Sequence, residues 1–250
     1  MLTRIGRTVY GIFASAIFLA VMGVVCLLII IGPTLAIRRA TGRWGIRLAF
    51  LAIGCPIITE GFENLPAGAA ICVSNHSSYV DGLVLTAALP ARYHFLVQSG
   101  AAKWPVVGVT IRRMGVHFVN RGAPREAAAV MKALLKGAKT GESYTIFAEG
   151  TFERDPGLLP FQSGAFLIAS RAGVPIAPTV IQGTRRILPD GAKLFWHSVI
   201  RIKVLPALTA SGEGREAANA LRDATRAAIL CHCGEPDAKG KAEATEAEPA

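Results

Sequence analysis

The chain has 250 residues, of which 52% are apolar and only 18% charged, and it carries a formal net charge of +10. That balance supports one large domain with appendages. The charge alone would suit a nucleic-acid binder, but zinc-finger spacing, an RNP-like pattern and an interleaved basic and aromatic stripe are all missing, so a surface facing anionic membrane lipids explains it with fewer assumptions.

The front of the chain holds much of the apolar excess. Thr8 to Ile37 is a run of thirty residues without a charge. A bilayer core of ~30 Å needs ~20 apolar residues, so this run is long enough to span. It exceeds an ordinary signal-peptide core and lacks a clean A-x-A site, which predicts a retained membrane segment. A shorter apolar stretch, Ile46–Ile58, reads as an interfacial or buried helix. Between the two, Arg38, Arg39, Arg43 and Arg47 flank Trp44, a grouping that suits headgroup level. With Arg4 and Arg7 on the other side, the bias of charge favours a cytoplasmic catalytic side, and it fits equally a hairpin entering and leaving one leaflet.

After the anchor, apolar residues 69–73 lead into Ser74–Asp81, SNHSSYVD, and another apolar run opens at Gly82. That order reads as strand, polar turn and helix. His76 and Asp81 would not share a face of one helix, but in a turn feeding a helix they can meet. A neutral imidazole can accept a proton while a carboxylate orients its other N–H and stabilises the cation. The plainer reading makes Asn75, Ser77 and Ser78 turn residues and Asp81 a helix cap. Strands follow at Tyr93–Gln98 and Gly115–Asn120, with a short surface helix expected within Lys103–Arg113. Arg121 closes the second of these strands, where open sheets put ligands, and its fork suits phosphate oxygens. Pro124–Lys139 reads as an amphipathic helix and Tyr144–Ala148 as a strand, followed by a sharp turn at Glu149–Gly150–Thr151. Gly150 there permits close backbone approach to a ligand. A helix over Phe161–Arg171 precedes a strand over Val174–Gln182, whose two prolines argue for a strand edge or a tight exit. Val199–Leu205 alternates as a half-exposed strand, and Gly214–Leu230 reads as a helix. The tail after Gly234 has no aromatic or large aliphatic residue and is expected to be disordered. Five cysteines, an odd number without a framework, argue for a reducing compartment, and Cys231–His232–Cys233 lacks the second pair a zinc site needs.

Four blocks then stand in order: NHSSYVD (Asn75–Asp81), GVHFVNR (Gly115–Arg121), FAEGT (Phe147–Thr151) and VPIAP (Val174–Pro178). Together they resemble the glycerolipid acyltransferase family, whose best-known members acylate 1-acylglycerol-3-phosphate. The resemblance implies an α/β domain on an N-terminal two-helix membrane anchor, with His76 and Asp81 catalytic. It gives Arg121 to the acceptor phosphate and makes Glu149, Gly150 and Thr151 site residues, Glu149 either binding the glycerol part or ordering the pocket around His76. One departure stands out. Phe152 occupies the place of the family's arginine and offers no donor, and Ala148 replaces the usual proline. Arg154, two residues on, is the candidate substitute.

The alternation of strands and helices predicts an α/β fold with a mostly parallel mixed sheet flanked by helices. The expected organisation is a membrane-associated segment over 1–58, an acyltransferase domain over 59–233 and a tail over 234–250. The expected reaction moves an acyl chain from an acyl-CoA or acyl carrier protein thioester to the hydroxyl of lysophosphatidate. It needs no metal or cofactor and no nucleic-acid partner, and the expected location is the cytoplasmic side of a bacterial inner membrane. Two other readings are an acyltransferase for another lyso-lipid, such as lyso-ornithine lipid, and a catalytically silent membrane-bound interaction protein whose His–Asp turn is only a cap.

Overall fold

Pro33 divides the charge-free run. In the computed structural model, which describes residues 2–120 and 123–238, helix α1 (Leu2–Ile31) stops before it and α2 (Leu35–Ala52) starts after it. The Thr34 hydroxyl caps α2 by accepting the Ile37 N–H at 3.3 Å. Ile5–Ile31 is long and apolar enough to cross a membrane, judged by length and composition. The two helices pack against each other, burying Ile29, Ile46, Ala49 and Phe50, with the Phe18 and Phe50 rings 5.1 Å apart.

The arginines of α2 do not all face outward. Arg38 Nε donates to Gly32 O at 2.7 Å, Arg47 Nε to Ala87 O at 2.8 Å and Arg43 to Ala88 O at 3.2 Å. Arg39 reaches Met114 O and Ala91 O. These carbonyls lie at or just beyond helix C-termini, where main-chain acceptors lack partners and the helix dipole is negative. Trp44 keeps the exposed position expected of it, with the Arg43 and Arg47 guanidinium groups over its ring.

The remaining elements are β1 (Ile57–Glu60), β2 (Ile71–Ser74), α3 (Asp81–Ala88), β3 (Tyr93–Gln98), α4 (Pro105–Arg113), β4 (His117–Val119), α5 (Pro124–Lys139), β5 (Ser143–Phe147), α6 (Gly164–Ala172), β6 (Ile176–Gln182), α7 (Thr184–Ile187), β7 (Ile200–Val204) and α8 (Arg215–Cys233). Among the described residues the seven strands form one mixed sheet in the order β1-β7-β6-β2-β5-β3-β4. Strand β2 runs parallel to β5 and to β6, and β3 parallel to β4, in line with the expected fold class. Every residue of β2 is buried, as a parallel strand covered on both faces requires, whereas β7 alternates buried and more exposed positions.

The chain divides into two compact units. The first comprises Met1–Thr59, Ser78–Val130 and Gly183–Ile202, and the second Glu60–Ser77, Met131–Gln182 and Lys203–Ala250. In the first, α2 packs on α3 and α1 on α4; in the second, α6 packs on α8, and α8 on β6.

Three expectations need correction. Strand β1 falls at Ile57–Glu60, where no strand was expected. Strand β6 is interior rather than an edge, although Pro178 lies within it. Its proline is tolerated because the side of β6 that lacks the donor faces the chain just after β7. There Ile176 exchanges both main-chain bonds with Leu208, and Pro178 O still accepts the Leu205 N–H at 2.8 Å. Finally, the disordered tail was placed too early. Leu158 N–H donates to Pro236 O, Ala238 N–H donates to Leu158 O, and Leu158 bridges Asp237. The rest of the expected tail, 239–250, lies outside the described residues.

Gly45 is where the α1–α2 contact leaves no room. A Cβ there would lie only 2.4 Å from Val25 Cγ2, a branched side chain with little rotamer freedom. Gly45→Val should therefore lower stability by ~1–3 kcal/mol, the usual cost of overpacking, whereas Gly23→Ala, with nothing within 4 Å, should be neutral or stabilising. Thermal unfolding of both variants in detergent checks this.

Candidate active site

The second unit holds His76 and Glu149. Past the last residue of β2, the Asn75 side chain continues the ladder toward β6. Its Nδ2 donates to Ile181 O at 2.9 Å and its Oδ1 accepts the Ile181 N–H at 2.8 Å. The buried side-chain amide thus stands in for a peptide unit. The main chain is then free to turn, and His76 N–H donates to Glu149 Oε1 at 2.6 Å.

Glu149 follows β5 and is only 4% exposed. Its second oxygen accepts the Leu159 N–H at 2.8 Å. A buried carboxylate needs such donors to offset lost hydration, and charge-assisted bonds are the strong kind. Gly150, at φ +79°, closes the turn with an N–H to Phe147 O at 3.1 Å, a backbone shape that favours glycine. The half-buried His76 imidazole stacks on Phe147 at 4.2 Å and meets the edge of Phe152 at 4.6 Å. Phe152, in the place of the family's arginine, is therefore a wall of the histidine site. Thr151 and Arg154 are exposed in the same unit. Arg121 lies outside the described residues.

The first unit holds Asp81, fully buried at the start of α3. Its Oδ2 accepts the Ser78 N–H at 2.9 Å and so braces the turn before the helix; the N-cap of α3 is Val80, without a side-chain cap bond, so Asp81 is not the helix cap of the plainer reading. Ser78 Oγ donates to Leu188 O at 2.7 Å, and Tyr79 OH to Asp190 at 2.8 Å. Both bonds tie the SSYVD turn to the chain around α7.

That unit also encloses an apolar cavity of about 420 Å³, which the sequence reading did not anticipate. Phe18, Met22, Ile29, Leu83, Leu89 and Phe95 contribute to its lining from α1, α3 and β3 and from the end of α3. Tyr79 and Gly82, which flank Val80 and Asp81 in sequence, also line it. So do the exposed Leu19, Trp104 and Val107. The cavity escaped notice because it is built from side chains far apart in the chain.

Cys72 in β2 is the cysteine nearest His76 in sequence. Burial pushes its thiol up to about 12, and Sγ donates to Thr179 Oγ1 at 3.2 Å. It therefore stays a neutral thiol and is no nucleophile. Iodoacetamide on the native protein should label the exposed Cys231 and spare Cys72, as peptide mass mapping would read; labelling of Cys72 at a comparable rate would contradict this.

A family model described as Acyltransferase matches residues 56–182. A chloroplastic 1-acyl-sn-glycerol-3-phosphate acyltransferase of Brassica napus is 37% identical over 146 residues, 57% of this chain and 42% of that protein. The 1-acyl-sn-glycerol-3-phosphate acyltransferase of Borreliella burgdorferi is 31% identical over 167 residues, 64% of this chain and 67% of that protein. The crystal structure of the 1-acyl-sn-glycerophosphate acyltransferase PlsC from Thermotoga maritima has the same fold, with a TM-score of 0.75 over 98% of this chain and 99% of that one, at 21% identity. The chain belongs to the acyltransferase family. The match to the plant relative spans less than half of that protein's length.

Proposed function

We propose that this chain is a 1-acylglycerol-3-phosphate O-acyltransferase, moving an acyl group from a thioester to the free hydroxyl of lysophosphatidate to give phosphatidate. The observation that carries the reading is His76 itself. Its backbone is pinned to Glu149 and its ring set between two phenylalanines, in a turn that lies within the stretch matched by the Acyltransferase family model. His76 takes the hydroxyl proton as the acceptor oxygen attacks the thioester carbonyl. The C–O bond forms, the C–S bond breaks, and the proton passes to the leaving thiolate. Asp81 orients His76 and stabilises its cation. The nucleophile is the substrate's own oxygen, in keeping with a Cys72 that stays protonated.

Glu149 spends each of its two oxygens on a main-chain N–H, which favours an ordering role over direct contact with the glycerol. Gly150 and Thr151 border the acceptor, and Arg121 and Arg154 grip its phosphate. The apolar cavity of the first unit accommodates an acyl chain, with Tyr79 and Gly82 beside the turn. The donor is acyl-CoA or acyl carrier protein. Attachment is through α1 and α2 at a bacterial inner membrane, with the catalytic side cytoplasmic.

Phe152 favours one second reading, a lyso-lipid acceptor without a phosphate monoester, such as lyso-ornithine lipid. The deciding experiment measures kcat and KM with lysophosphatidate and with lyso-ornithine lipid. His76→Ala should lower kcat by ~10²–10⁴ and leave the fold intact. Phe152→Arg should leave lysophosphatidate turnover unchanged or improved. A wild type that acylates lyso-ornithine lipid alone would replace the acceptor but keep the base; an active His76→Ala protein would remove the base.

Attachment has its own check. Apolar insertion is not screened by salt, so the intact protein should stay with membranes through a 1 M-scale (about) salt wash. Recovery in the washed soluble fraction would contradict an inserted anchor.

A further inference from the structure

Arg226, on α8, is a guanidinium only 8% exposed, and no part of the four family blocks accounts for it. Its Nε donates to Leu159 O at 3.0 Å and an NH2 hydrogen to Leu158 O at 2.6 Å. It also pairs with both oxygens of Asp237. Leu158 C=O and Leu159 N–H are the two ends of one planar peptide unit and point in opposite directions. One end of that unit is held by Arg226. The other donates to Glu149 Oε2, and Glu149 Oε1 holds the His76 N–H. A rigid, polarised peptide therefore stands between a buried cation and a buried carboxylate, and the carboxylate ends on the proposed base. The segment beyond α8 secures the same peptide from outside. Gly157 N–H donates to Glu235, Leu158 N–H to Pro236 O, and Ala238 N–H to Leu158 O.

We propose that Arg226 and Asp237 are positioning residues for acyl transfer, acting through the Leu158–Leu159 peptide and Glu149 to set the place of His76. This rests on His76 being the base. The physical reason is that a base must be held closely against the hydroxyl it deprotonates, and a small displacement costs rate rather than binding. Lysine at 226 would keep the charge but lose the fork that serves two carbonyls and a carboxylate together.

The test is a double-mutant cycle on the full-length protein in detergent, with an acyl thioester and lysophosphatidate. Arg226→Lys and Asp237→Asn should each lower kcat about tenfold, with both KM values within about twofold of wild type. In a Glu149→Gln background the same changes should cost less than about twofold, because the carboxylate end of the relay is already gone. Amide hydrogen exchange gives a readout independent of turnover: the Leu159 and His76 amides should exchange at least about tenfold faster in Asp237→Asn, while β2 and β6 amides keep their protection. Equal kcat losses with and without Glu149, or unchanged exchange at both amides, would overturn the proposal. His76→Ala separates the two ideas. If it stays active the base assignment fails, and the exchange data still decide whether the relay exists. If it is inactive while the cycle is additive, the relay alone fails.

Discussion

Glu149 carries a carboxylate into an interior where an unpaired charge would cost several kcal/mol. Two main-chain N–H groups meet it, one from the end of β2 and one from the 157–159 segment. Each bond is satisfied at one geometry, so three pieces of chain distant in sequence acquire fixed positions from a single side chain. Much of the second unit's arrangement near His76 follows from that requirement. Gly150 gives the turn its left-handed residue, and Asn75 completes the sheet so that β2 can end where it does.

The first unit solves a different problem. Its helices enclose an apolar cavity and end close together, which would leave several carbonyls at their C-termini without donors. Arg38, Arg43 and Arg47 supply them, and Arg39 serves the chain around Ala91 and Met114. Basic residues here are components of a helix-packing scheme as well as contributors to the net charge.

The strands and helices were legible because their cues are local. An unbroken apolar run marked β2, alternation marked β7, and the apolar face of 124–139 marked α5. The His76 turn was legible too, from residue types and spacing. What sequence could not supply was every feature set by long-range backbone contact. Glu149 read as either a substrate ligand or an ordering group, and its bond to a main-chain N–H 73 residues earlier has no side-chain signature. Pro178 argued for an edge by a sound rule, yet the missing donor falls on the side where only a few bonds are made. Composition marked the tail as featureless, but Glu235 and Asp237 act through specific bonds that composition does not weigh.

The bond from His76 N–H to Glu149 has a bearing on the chemical ageing of the protein. Asparagine side chains are lost chiefly when the following main-chain nitrogen attacks the amide carbon and closes a five-membered imide; here that nitrogen belongs to His76. It is engaged by Glu149, while the Asn75 amide is held at both ends by Ile181. Ring closure would require breaking these three hydrogen bonds, two of them buried. The contacts that shape the turn therefore also shield one of its most labile residues, in a position where conversion to aspartate would set a new carboxylate against the Ile181 carbonyl.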